Sequence, residues 1–183
     1  MPAIFVVDFL AALVLLMFAL VKLAVFVEPS AKASIETAGV YAIQVSWPGA
    51  SEDDIDMWVR SPAGGIVNYN SPTADLVHLE HDDLGKLDDE EQGVKVRENR
   101  ERVVLRGILP GEYVINLHAY RKTDATATTV LVELYALRGP DRVLSRRRLT
   151  LTREGEEETA FRFTPTADGG ARAISHLPRH LLG

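Results

Sequence analysis

The chain has no cysteine among its 183 residues. Disulfides, thiolate nucleophiles and cysteine-based zinc sites are therefore excluded. It also lacks positive charge in surplus. The formal net charge is −6. Asp8, Lys22, Glu28 and Lys32 cancel, so the whole deficit belongs to residues 34–183. An acidic domain is a poor match for phosphate backbones, which excludes nucleic acid as the expected partner. Catalytic signatures are missing too. No G-x-S-x-G occurs, and no Ser/His/Asp order stands out. Leu84-Gly85-Lys86 is no P-loop, because Glu80 stands where the first glycine must be. The chain is not expected to be an enzyme. No basic residue precedes the N-terminal apolar block, and no convincing amphipathic helix follows it.

What the sequence does have is that apolar block. Ala3 to Val27 makes 25 residues broken only by Asp8 and Lys22. As a helix it is roughly 37 Å long, against a hydrocarbon core of about 30 Å. Pro29 is a stop signal. Residues 1–28 therefore read as a transmembrane helix with a short cytoplasmic tail, and residues 29–39 as a linker. Ala31-Lys32-Ala33 has the small-x-small form of a signal cleavage site. The preceding segment, however, is too long and carries an acid where a basic residue belongs. On a helix, Asp8, Ala12, Leu15, Ala19 and Lys22 fall close to one stripe. Small residues let membrane helices approach closely. The stripe is a candidate helix interface, with Asp8 turned away from lipid and able to carry an ion. A second reading starts the membrane at Phe9, leaves Asp8 at the water boundary and lets Lys22 snorkel.

The stretch FVVDFLAALVLLMFAL, residues 5–20, resembles the single membrane helix of the MotB/ExbD/TolR group. These are small subunits of ion-driven motors with five-to-two stoichiometry. Asp8 matches in position the ion-carrying Asp of that group. The resemblance implies a dimer of this chain inside a polytopic MotA/ExbB/TolQ-like partner, which is a pentamer by analogy. It implies a bacterial inner membrane location with the C-terminal domain in the periplasm. It also implies proton or sodium flow through Asp8 and no chemical catalysis. The C-terminal part shows no peptidoglycan-binding pattern and no short βαβ domain. The alternative is a membrane-tethered binding or adhesion module that holds an envelope polymer or a periplasmic protein.

From residue 40 onward, strand signals dominate. Tyr41, Ile43, Val45 and Trp47 alternate with Val40, Ala42, Gln44 and Ser46, a period of two. Further runs lie at 56–60, 66–69, 76–80, 102–105, 112–120, 129–137, 143–152 and 159–163. Pro62-Ala63-Gly64-Gly65, Pro110-Gly111, Gly139-Pro140 and Glu154-Gly155 punctuate them. Eight or nine such strands predict a mainly β class: an antiparallel β-sandwich, Ig-like or jelly-roll-like, over residues 40–164. A long acidic loop over 81–101 and a flexible tail over 165–183 complete the expectation. Asp54-Ile55-Asp56-Met57-Trp58-Val59, Asp82-Asp83-Leu84-Gly85, Glu98-Asn99 and Leu109-Pro110-Gly111-Glu112-Tyr113 occur in that order. Together they resemble the YfaP-like family of β-sandwich domains, from about Val40 to Leu137. That resemblance implies a fold and no activity.

Asp54, Asp56, Asp82, Asp83 and Glu98 are the candidate metal ligands. Hard cations such as calcium take several carboxylate or carbonyl oxygens. Solvated loop carboxylates are the competing reading. His78-Leu79-Glu80-His81 puts His78 and Glu80 on one strand face and His81 on the other, which falls short of a zinc set. No other cofactor is expected. Arg146-Arg147-Arg148 suits a charged edge strand that discourages aggregation.

Overall fold

The structure is a computed structural model. It describes Val14, Leu16 and Met17, residues 39–82, the backbone of 90–91 and 94–95, and residues 99–182. The chain divides into two units, Met1–Glu36 and Thr37–Gly183. In the first, Val14, Leu16 and Met17 are helical and exposed. Asp8, Ala12, Leu15, Ala19 and Lys22 lie outside the described residues, as do Asp83 and Glu98. Among the described residues, no helix is long and apolar enough to cross a membrane.

The second unit is mainly β. Its strands are β1 (Tyr41–Trp47), β2 (Asp54–Arg60), β3 (Ile66–Val67), β4 (Thr73–Ala74) and β5 (Val77–His81). There follow β6 (Glu90–Glu91), β7 (Val94–Lys95), β8 (Asn99–Leu105), β9 (Tyr113–Arg121) and β10 (Thr128–Ala136). β11 (Arg142–Leu151), β12 (Glu157–Pro165) and β13 (Ala171–Ser175) complete the chain. Two antiparallel sheets share one core. The larger runs β11-β10-β1-β8-β5-β4 and the other β13-β12-β9-β2-β3; β6 and β7 form a separate pair. This is the sandwich-like class that the period-two pattern implies. The short strands β4, β6 and β7 and the final β13 take the number beyond the expected eight or nine.

The core forms because alternate residues of each strand point the same way. Tyr41, Ile43 and Val45 of β1 meet Ile55, Met57 and Val59 of β2, Ile115 and Leu117 of β9, and Phe161 and Phe163 of β12 in one buried cluster. Each such side chain contributes about 1.5–3 kcal/mol when fully buried. Tyr113 and Phe163 stack with ring centroids 5.5 Å apart. Tyr41 adds a polar tie, donating its hydroxyl to the Gly170 carbonyl at 2.6 Å. The Pro110-Gly111 turn starts β9. Gly111 has φ of 128°, and a Cβ there would meet the Pro62 Cβ at 2.7 Å. Both constraints favour glycine.

β11 is an edge strand of the larger sheet. Arg146 and Arg148 are exposed on it, while Arg147 donates to the carbonyls of Thr159 and Ala160 at 2.7 and 2.8 Å. The triplet thus splits between solvent and the partner sheet. Part of the expected flexible tail is ordered instead. β13 pairs with β12, and Arg179 exchanges hydrogen bonds with Thr159 through its N–H at 2.8 Å and its carbonyl at 3.3 Å.

Candidate functional site

Asp53 and Asp56 are buried and lie near one another in sequence, and their partners decide what each can do. Asp53 is the first. It is fully buried, just before β2. Its Oδ1 accepts the backbone N–H groups of Thr123 and Asp124 at 2.7 and 2.8 Å. Its Oδ2 meets the Lys122 ammonium at 2.7 Å and accepts from the Thr128 hydroxyl. Burial alone would raise its pKa. Lys122, Thr128 and the two N–H groups outweigh burial and hold the carboxyl below the ordinary range. Every oxygen is satisfied, so Asp53 is a structural tie for the β9–β10 connection.

The second, Asp56, groups with Asp82 and Glu101. One carboxylate oxygen from each lies within 4.8 Å of the others. Asp56 alternates with Ile55 and Met57, so it leaves β2 on the face away from the core, with Trp58. Asp82 directly follows β5 and is exposed. Glu101 lies on β8, on the face of Val103 and Leu105, opposite Val45 of β1. It is thus an acid at the end of an apolar row, only 1% exposed.

Strand pairing explains how the groups meet. β3 pairs with β2 only at Val59 and Arg60, and the Met57 N–H is donated to Glu101 Oε2 at 2.6 Å. That bond bridges the two sheets. Glu101 Oε1 and Asp56 Oδ2 are buried and have no hydrogen-bond partner. His118 of β9 stands opposite Asp56, with Nδ1 3.7 Å from Asp56 Oδ2. That is too long for a hydrogen bond. Burial lowers the His118 pKa against the opposing pull of Glu157, so no imidazolium is favoured beside Asp56. Trp58 and Tyr120 flank the imidazole, with centroids 6.3 and 6.4 Å away.

The electrostatics follow from this crowding. Burial, then the nearby charges of Asp54 and Asp82, push Asp56 up to about 7. Burial first, then a hydrogen-bonding approach of Asp82 and the charge of Asp56, raise Glu101 well above its ordinary value; the Met57 N–H opposes them. Two carboxylates at that distance attract only if a proton or a cation stands between them.

The sequence candidates therefore separate. Asp56 and Asp82 come together. Asp54 is buried beside them and its Oδ2 lies 4.0 Å from Arg121 Nη2. Asp83 and Glu98 fall outside the described residues. Glu101 was missed, although extending the period of Val103 and Leu105 backward places it inward. The histidine run makes no metal set. His78 bonds the Thr73 hydroxyl at 2.7 Å, and Glu80 faces Arg102 and Arg106. Comparison with known proteins finds no matching family model, curated protein or solved structure.

Proposed function

We propose that this chain is the small subunit of a proton- or sodium-driven membrane motor, in which Asp8 carries the ion. The observation that carries this reading is a single carboxylate within an apolar run of 25 residues, followed by Ala12 and Ala19 at helical spacing in the sequence. An acid at membrane depth is costly unless it faces protein or an ion path. A carboxylate held there by protein neighbours can take up an ion from one side and release it to the other. Ala12, Leu15, Ala19 and Lys22 would line the interface with the second copy and with a surrounding polytopic pentamer. The β domain would sit in the periplasm of a bacterial inner membrane and pass force to the envelope. Its two antiparallel sheets around a continuous core form a stiff body, which suits a load-bearing role.

The test is the composition of the native assembly. The full chain, tagged and extracted from its own membrane, is expected to bring down a polytopic protein in a five-to-two ratio by native mass spectrometry. Recovery of the chain alone would support a tethered binding module and defeat the motor reading.

A further inference from the structure

We propose that Asp56, Asp82 and Glu101 form a calcium-binding site at the side of the β domain. The proposal is independent of Asp8. Three observations carry it. First, opposite ligands on a calcium ion at about 2.4 Å stand roughly 4.8 Å apart. One oxygen from each of the three residues lies within 4.8 Å of the others, close enough to share an ion after side-chain shifts of a few tenths of an ångström. Secondly, Glu101 is 1% exposed and Asp56 4%, and an oxygen of each lacks any hydrogen-bond partner. Buried polar atoms are nearly always paired, so an unpaired oxygen on each of two neighbouring buried acids calls for a cation. Thirdly, three cationic or ionisable side chains of the same strands and loops are engaged elsewhere or too distant. Lys122 belongs to Asp53, and the Arg102 guanidinium faces Glu80. His118 lies too far from Asp56 for a hydrogen bond.

The donor set selects the ion. It offers only carboxylate oxygens, which suit a hard cation. The site joins β2 of one sheet to β8 of the other and to the end of β5. A bound ion would therefore brace the two sheets where Glu101 already reaches the Met57 N–H.

The test uses the full-length chain in detergent micelles. Trp58 leaves β2 on the same face as Asp56, two residues away, and serves as an antenna for terbium. Saturable terbium luminescence, displaced by calcium chloride, is expected. Calcium at about a hundred times its Kd should raise Tm by roughly 5–10 °C over EDTA. Glu101→Gln retains an acceptor for the Met57 N–H, and Asp82→Asn alters an exposed side chain. Each should stay folded and lose calcium affinity at least tenfold. The proposal is overturned if calcium up to millimolar leaves wild-type Tm unchanged. It is equally overturned if both variants keep wild-type affinity, or if calcium fails to displace terbium.

Discussion

Replacing Asp56 by Asn removes one ionisable group from a place that disfavours its charge. The effect on stability can be worked out. The Asp56 carboxyl titrates at about 7 in the folded chain, against an ordinary 3.8. A displacement of about three pH units, at about 1.4 kcal/mol each, makes the ionised form cost roughly 4 kcal/mol of folding free energy. A raised carboxylate pKa has a definite sign. Below the unfolded value both states hold the proton, and there is no cost. As pH rises toward the folded value, the unfolded chain ionises freely and the folded chain does not, so stability falls. Above about pH 7 the full penalty is present. With EDTA, Asp56→Asn should match the wild type near pH 4 and exceed it by about 4 kcal/mol at pH 8. Both tryptophans, Trp47 and Trp58, lie in the β domain, so urea unfolding followed by their fluorescence reads this unit. Equal or lower stability of the variant at pH 8 would refute the reasoning.

Asp53→Ala removes a satisfied buried ion pair and leaves the Lys122 ammonium, which is 6% exposed, with only the neutral carbonyls of Asp124 and Thr126. A loss of about 3–5 kcal/mol is expected in the same urea assay. The Asp53 pKa is depressed, so its contribution is present above the ordinary 3.8 and disappears as pH falls through the folded value. Wild type and variant should therefore converge in acid, and a gap that widens there would contradict the assignment. Phe161→Ala empties a fully buried position beside Phe163 and should cost about 3–5 kcal/mol at every pH. A loss below 1 kcal/mol in thermal or urea unfolding would mean that the core is not closed there.

Alternation made most of the sheet residues legible. Most apolar positions of β1, β2, β9, β10 and β12 face the core. What resisted sequence reading was polar. Arg100-Glu101-Arg102 looks like the end of an acidic loop, yet β8 begins at Asn99, and Glu101 is the inward residue of the three. A buried acid breaks the period that would otherwise reveal it, and only long-range pairing with β1 and the reach to Met57 restore it. β13 was hidden for a different reason. Apart from the exposed Ile174 its residues are small or polar, so pairing with β12 creates the strand and hydrophobic pattern does not. Asp53 and Asp56 look alike in sequence. Lys122, 69 residues further along the chain than Asp53, makes one a structural tie, while the other is left for an ion.

Ion flux through the native complex, reconstituted in proteoliposomes, tests the central claim most directly. With an imposed proton or sodium gradient, the wild-type complex should conduct, and Asp8→Asn should abolish conduction while subunit composition stays the same. Undiminished flux in the variant would contradict ion carriage by Asp8, and so would the absence of flux in an intact wild-type complex.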